Sequence, residues 1–153
     1  MNRIEAIEMI LNENENSIFI FSNGLTSRQA VHYFPLNNAI YLTHAMGEAL
    51  SVGVGLATTN SNLSVVVIDG DGNSLMGMAS WPLKLHAPNL KYYVIRNGIY
   101  ETTGGQQLID FPCIPDWVKI IDINHEKFET PNPPNPEIIY NNLAKYLKGV
   151  KVD

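Results

Sequence analysis

The segment Leu63-Ser-Val-Val-Val-Ile68 constrains the fold of this chain more than any other feature of the sequence. It is rich in β-branched residues and apolar on both faces, which favours a strand. A strand of this kind is typical of the inside of a parallel sheet that helices cover on each side. The segment runs directly into Asp69-Gly70-Asp71-Gly72. We therefore expect an α/β sheet with an inner strand that ends in an acidic, glycine-rich loop.

The rest of the chain alternates between strand-like and helix-like patterns. Strands are predicted at 17–22, 39–42, 63–68, 90–95 and 118–123. Helices are predicted at 4–11, through Ala30 and Tyr33, and at 44–59, 73–86 and 136–148. This alternation with short connections predicts a doubly wound, mostly parallel α/β sheet with helices on both faces. The expected organisation is a single domain over residues 1–153.

Three local patterns lead to more specific expectations. Thr26 or Ser27 is able to cap the second helix. Pro82 should kink or shorten the helix predicted at 73–86. Gly47, Gly53 and Gly55 weaken an isolated helix, so their presence within 44–59 indicates that a neighbouring backbone or a ligand approaches closely there.

Charge and cysteine content exclude several classes of function. The 153 residues include 10 basic and 15 acidic side chains, a formal net charge of −5, with no basic run, which argues against a nucleic-acid partner. Cys113 is the only cysteine, which excludes an intrachain disulfide and a multi-cysteine metal site. No apolar run reaches about 18 residues, and the beginning is unlike a signal peptide. A soluble, cytoplasmic protein without membrane contact is expected.

Three loops of unusual composition follow predicted strands, at 22–27, 69–74 and 96–105. Ligands of open parallel sheets bind beyond the carboxyl ends of the strands, so these loops should converge on one site. The loop Gly70-Asp71-Gly72-Asn73-Ser74 joins a strand to a helix, and its backbone N–H groups favour a phosphate-like anion. Asp71 and Asn97 end adjacent strand–helix units. Their carboxylate and amide oxygens suit Mg²⁺ shared with phosphate oxygens.

The spacing from Gly70-Asp71-Gly72 to Arg96-Asn97 resembles the motif of thiamine-diphosphate enzymes, in which glycine-aspartate-glycine precedes a pair of asparagines by about two dozen residues. Arg96 replaces the first asparagine of that pair. The resemblance implies that Asp71 and Asn97 bind Mg²⁺ through their side chains and Ile99 through its backbone carbonyl. It also implies the thiamine-diphosphate-binding fold, with the diphosphate-binding domain only.

Two further segments carry the resemblance. Thr43-His44-Ala45-Met46-Gly47 is similar to the family's glycine-serine-methionine-glycine segment, which implies that Met46 is the apolar wedge that pushes the cofactor's two rings into a V shape. The backbone carbonyl of His44 would then accept from the cofactor's amino group, and its side chain is a candidate for proton transfer. Tyr100-Glu-Thr-Thr-Gly-Gly-Gln106 resembles a loop of the sulfopyruvate and phosphonopyruvate decarboxylase group.

The candidate residues fall into one set for each role. The candidate cofactor residues are Asn23, Thr26, His44, Met46, Gly70, Asp71, Gly72, Asn73, Ser74, Asn97, Ile99 and Tyr100. Asn23, Thr26 and Ser27 are equally well explained by helix capping. The candidates for an anionic substrate are Arg96, Arg28, Gly104, Gly105 and Gln106. Glu48 is expected to be structural or to lie behind the site.

The resemblance also implies a partner. Thiamine-diphosphate enzymes take an activating glutamate from a pyrimidine-binding domain, for which a chain of this length has no room. An α subunit carrying that domain, in an α₂β₂ or larger complex, would supply it. The implied reaction is decarboxylation of a small anionic 2-oxo acid, such as sulfopyruvate or phosphonopyruvate, to an aldehyde. The alternatives are a carboligase subunit similar to acetolactate synthase, or a non-catalytic module that binds a diphosphate or regulates a partner.

Overall fold

A parallel five-stranded sheet forms the centre of the computed structural model, which describes residues 1–125 and 130–149. Its strands are β1 (Ile18–Phe21), β2 (Ala39–Tyr41), β3 (Val65–Gly70), β4 (Leu90–Arg96) and β7 (Val118–Asp122). Their order in the sheet is β2-β1-β3-β4-β7, and every neighbouring pair is parallel. Two short strands, β5 (Ile99–Tyr100) and β6 (Gln106–Gln107), pair antiparallel beside it.

Helices cover both faces of this sheet. They are α1 (Arg3–Glu13), α2 (Leu25–Tyr33), α3 (Ala49–Thr59), α4 (Asp71–Met76) and α5 (Pro136–Gly149). Buried residues of α1, α2 and α5 form a core on one face, and those of α3 together with Trp81 form a core on the other. β1 is buried at all four positions, as expected for a strand between two layers. The predicted doubly wound, mostly parallel α/β class is confirmed.

The order of the strands determines where a ligand site can form. The chain moves from β1 outwards to β2 and then returns to the other side of β1 to form β3. Connections on either side of this switch point diverge and leave a crevice beyond the carboxyl ends of β1 and β3. Ser22 lies at the end of β1, and its Oγ accepts from the backbone N–H of Gly70 at the end of β3, 3.1 Å away. The two loops therefore begin side by side.

Several local predictions differ from the structure. The second helix begins at Leu25, and its N-cap is Gly24, so the prediction that Thr26 or Ser27 caps it is wrong. The Ser27 hydroxyl instead donates to the carbonyls of Phe21 and Ser22, at 3.0 and 2.8 Å. The segment predicted as a helix from residue 44 is helical only from Ala49. A tight bend precedes it, with positive φ at His44 and Gly47.

The fourth helical segment is also rearranged. It begins at Asp71 and ends at Met76, and a 3₁₀ helix that contains Pro82 continues over Met78–His86. The α-helix is therefore shorter than predicted, but it ends at Met76, before Pro82 is reached, so the proline does not account for its end. Within the described residues, 1–125 and 130–149, no helix is both long enough and apolar enough to cross a membrane.

Candidate functional site

One polar pocket lies beyond the carboxyl ends of β1, β3 and β4. Its lining includes Asn23, Thr26, Met46, Gly70, Asp71, Gly72, Asn73, Asn97, Ile99 and Tyr100, all candidate cofactor residues from the sequence. The three loops with unusual composition each contribute to this lining. Parallel strands direct their ends to the same edge of the sheet, so segments far apart in the chain meet there.

Asp71 is the central anionic group of the pocket. Only 5% of the residue is exposed, and burial raises the pKa of its carboxyl group. Its Oδ2 accepts from the backbone N–H groups of Asn97 and Gly98, at 3.0 and 2.7 Å, while its Oδ1 accepts from Gly72 at 2.9 Å. Four lone-pair positions are available on a carboxylate and three are used. One position on Oδ1 is left for a cation.

Asn97 is in direct contact with Asp71, because its backbone N–H donates to the Asp71 carboxylate. Its Oδ1 accepts the N–H of Ile99 at 3.1 Å, and its Nδ2 donates to Glu101 at 2.9 Å. A carbonyl oxygen has two lone pairs, so Asn97 Oδ1 also keeps one position for a cation. In the described part of the chain, no group of three or more His, Cys, Asp or Glu side chains could hold a metal ion. A metal in this pocket would therefore also need amide or carbonyl oxygens.

Asn73 connects the pocket to two other loops. Its Oδ1 accepts from the backbone N–H of Gly47 at 3.1 Å, and its Nδ2 donates to the carbonyl of Asn23 at 3.4 Å. Gly47 follows Met46, a pocket residue that is 41% exposed. A Cβ atom on Gly77 would lie 2.2 Å from the Gly47 carbonyl oxygen, so the bend that carries Met46 packs directly on the backbone after α4.

A buried polar network supports the 69–74 loop from behind. The Tyr92 hydroxyl lies 2.8 Å from Asp69 Oδ2 and 2.7 Å from Ser74 Oγ. Burial is the main reason that the pKa of Asp69 rises to about 6. Ser74 is 1% exposed and its hydroxyl contacts this network, so its side chain does not line the pocket.

The other predicted residues lie outside the pocket. His44 lines a neighbouring cleft that also includes Arg28, whose guanidinium donates to the carbonyl of Thr130. Arg96 forms a bidentate pair with Asp122, at 2.6 and 3.0 Å. Gly104, Gly105 and Gln106 are exposed in and beside the β5–β6 hairpin and do not line the pocket. Glu48 is an exposed residue at the start of α3, and its side chain makes no capping bond.

The pocket contains two charged residues that were not predicted from the sequence. Arg3 belongs to α1 and Glu101 follows β5, yet their side chains pair at 2.6 Å and are only 11% and 10% exposed. Both line the pocket. Neither has a local signal, because Arg3 lies 98 positions before its partner and reaches it only through packing of α1 on the sheet.

These features together define an α/β protein with a polar ligand pocket at the switch point of a parallel sheet. Residues 22–114 match the family described as "Thiamine pyrophosphate enzyme, C-terminal TPP binding domain". The chain belongs to this family.

The named relatives are decarboxylases or decarboxylase subunits. The chain is 35% identical over 119 residues to a phosphonopyruvate decarboxylase of Streptomyces hygroscopicus, an alignment that covers 73% of this chain and 29% of that protein. It is 36% identical over 108 residues to the sulfopyruvate decarboxylase subunit beta of Methanothermobacter thermautotrophicus, covering 69% and 58%. The corresponding subunit of Methanocaldococcus jannaschii is 33% identical, with 69% and 57% covered. The matched region therefore spans less than two thirds of each of these relatives.

Proposed function

We propose that this chain is the thiamine-diphosphate-binding β subunit of a heteromeric 2-oxo acid decarboxylase, and that Mg²⁺ joins the diphosphate to it. Residues 1–153 would form one diphosphate- and metal-binding domain. Sulfopyruvate or phosphonopyruvate is the substrate class that the names of the relatives support. The observation that carries the proposal is the pair of oxygens on Asp71 and Asn97, each with one unused lone-pair position in the same pocket.

The residues of the pocket fit this ligand. Among the described residues, its charged side chains are one cation, Arg3, and two anions, Asp71 and Glu101, so a diphosphate alone would be repelled. A divalent cation held by Asp71, Asn97 and the carbonyl of Ile99 reverses that balance, and these hard oxygens are the ligands that Mg²⁺ prefers. Asn23 Oδ1 is buried and has no hydrogen-bond partner within the described chain. An unpartnered buried polar atom beside the pocket is consistent with a polar ligand there.

Each part of the site then has its own task. Thiamine diphosphate, when bound, supplies the electron sink that allows a 2-oxo acid to lose CO₂. Asn73 would orient the diphosphate, together with backbone N–H groups of the 70–74 loop other than those of Gly70 and Gly72, which donate to Ser22 and Asp71. Met46, the exposed apolar side chain on the bend held by Asn73, would press against the body of the cofactor. The backbone carbonyl of His44, two residues earlier, would accept from its amino group.

A partner subunit completes the proposal. The carboxylates that line the pocket are Asp71 and Glu101, and both are held by hydrogen bonds to this chain. The glutamate that activates the cofactor would therefore come from an α subunit with a pyrimidine-binding domain. Exposed apolar side chains on and after α4, among them Met76, Leu83 and Leu85, offer a surface for such a subunit. An α₂β₂ complex is the simplest assembly of the two chains.

Calorimetry with thiamine diphosphate tests the metal clamp. We expect the chain to bind the cofactor with Mg²⁺ present and to lose most of that affinity with EDTA. Asp71→Ala should lose the Mg²⁺-dependent part of binding, because the remaining oxygens no longer balance the diphosphate charge. The matched control is Asp116→Ala, an exposed aspartate that does not line the pocket, which should bind like the parent. Binding that is unaffected by EDTA or by Asp71→Ala would contradict the proposal.

A further inference from the structure

Glu101 is the centre of a side-chain cluster on one side of the pocket. Arg3 Nη2 and Asn97 Nδ2 donate to its Oε2, at 2.6 and 2.9 Å, and His125 Nδ1 lies 2.8 Å from its Oε1. These three side chains come from α1, the end of β4 and the segment after β7. Glu101 is 10% exposed, and a buried carboxylate is stable only when it is paired in this way.

The contact with Asn97 determines which end of its amide is free. The oxygen and the NH₂ group of an asparagine have nearly the same shape but opposite hydrogen-bonding chemistry. Glu101 accepts hydrogen bonds only, so it selects the NH₂ end. The N–H of Ile99 donates to the Oδ1 end at 3.1 Å. Both contacts favour the same orientation, and a divalent cation can bind only the oxygen.

Glu101 itself is poorly suited to bind the cation. Its Oε2, the oxygen that contacts Asn97, accepts from both Arg3 and Asn97, which uses both lone-pair positions of that oxygen, and its Oε1 lies 2.8 Å from His125 Nδ1. The guanidinium of Arg3 also balances its charge. The influence of Glu101 on a cation would therefore pass through Asn97 rather than through a direct bond.

We infer that Glu101 is a positioning residue for the cation site: it fixes the Asn97 amide with the oxygen available, while Arg3 and His125 hold Glu101 in place. This inference rests on the proposed function. Partners behind metal ligands commonly contribute 10- to 100-fold to metal affinity. The cluster would thus couple the N-terminal helix and the end of the sheet to cofactor binding.

The first test titrates Mg²⁺ into the full chain with a fixed concentration of thiamine diphosphate and follows cofactor binding by calorimetry. Glu101→Ala should raise the half-saturating Mg²⁺ concentration about 10-fold or more. Glu101→Gln should stay within about 3-fold of the parent, since its amide oxygen can still accept from Arg3 and Asn97. Glu8→Ala removes an exposed carboxylate of α1 and is the matched control. A Glu101→Ala variant that behaves like Glu8→Ala would overturn the inference.

A double-mutant cycle separates positioning from direct binding. Asn97→Ala should itself weaken Mg²⁺-dependent binding, and adding Glu101→Ala should then change nothing further. Equal, additive losses would show that Glu101 acts without Asn97 and would overturn the inference. If the parent chain shows no Mg²⁺ dependence at all, the proposed function fails, and the inference with it.

A second pair of variants provides the test if Glu101→Ala does not fold. Asn97→Asp supplies a stronger metal ligand but sets its carboxylate against that of Glu101. We expect this variant to need at least as much Mg²⁺ as the parent, and the double variant Asn97→Asp with Glu101→Gln to need about 3-fold less than Asn97→Asp alone. Tighter Mg²⁺ binding by Asn97→Asp than by the parent would show that the Glu101 contact does not control the site.

Discussion

Individual polar residues set the shape of this site through bonds to backbone atoms. Asp71 accepts three backbone N–H groups, and Asn73 joins the backbones of Asn23 and Gly47. Each bond fixes a loop rather than another side chain, so one residue can hold several segments in register. A substitution at such a residue should therefore change the backbone geometry of the loops that the residue holds.

Asn73→Ala tests this at the bend that carries Met46. Removing the amide leaves the Gly47 N–H without its acceptor, and a hydrogen bond of this kind contributes about 0.5–1.5 kcal/mol. We expect a loss of stability of this size and cofactor affinity that is lower by about 2- to 10-fold. Denaturant unfolding and calorimetry measure the two effects. Asn62→Ala, at an exposed turn, is the control and should change neither.

The buried carboxyl of Asp69 predicts a particular dependence of stability on pH. Its pKa is about 6 in the folded protein, whereas 3.8 is the ordinary value for an aspartate side chain. The folded state therefore binds the proton more tightly, and the contribution of Asp69 to stability is present below about pH 4 and is lost as pH rises through 6. We therefore compare the free energies of unfolding of the parent and of Asp69→Asn. The parent's value minus the variant's should decrease between pH 4 and 7, by at most about 1.4 kcal/mol per pH unit. A difference that rises with pH would contradict the assignment.

Among the helices, α3 shows how the sequence pattern was informative but incomplete. Close approach is found at Gly53, where a Cβ atom would lie 2.3 Å from Val67 Cγ2, but the neighbour is a side chain rather than the backbone or ligand that was predicted. The predicted approach of a neighbouring backbone is confirmed for Gly47 in the bend before the helix. The prediction is wrong for Gly55, which is exposed and has no atom within 4 Å of that position. Close packing therefore explains the glycine at 53 but not the one at 55, although the two lie within one helical turn.

Because of this difference, Gly53→Ala and Gly55→Ala should have opposite effects on the stability of the protein. Alanine at 53 must displace Val67 and should destabilise the protein by about 1–3 kcal/mol. Alanine at 55 meets open space and should stabilise it by about 0.5–1 kcal/mol, because glycine is a poor helix former. Urea denaturation of both variants measures these changes in the free energy of unfolding. A stabilising Gly53→Ala would show that α3 does not pack on the sheet as closely as described.

On the scale of the whole molecule, the proposed partner subunit makes catalysis a property of the complex. We expect this chain alone to release no aldehyde from sulfopyruvate or phosphonopyruvate, and a mixture with an α subunit to do so with Mg²⁺ and thiamine diphosphate. Analysis of the products separates an aldehyde from the acyloin of a carboligase. Aldehyde formation by the chain alone would contradict the need for a partner. A complex that forms without any turnover would favour the non-catalytic module.

The sequence by itself determined the sheet and the position of its ligand edge. Runs such as Val65-Val-Val-Ile68 are apolar on both faces, and that property requires cover on both sides wherever the strand lies. The Gly70-Asp71-Gly72 loop and Asn97 follow strand ends, so parallel pairing alone brings them to one edge. These features depend on local composition and on the period of side chains along a strand, both of which can be read from neighbouring residues.

Only the tertiary structure decided how the pocket is completed. The pairing of Arg3 with Glu101, the contact of Asn73 with Gly47 and the stacking of Gly77 on Gly47 join segments that share no local pattern. The bend at 44–48 and the β5–β6 hairpin likewise depend on positive φ angles and on contacts with distant backbone. Such contacts arise from the packing of whole elements against each other, and the packing fixes the direction of each side chain only after the sheet has formed.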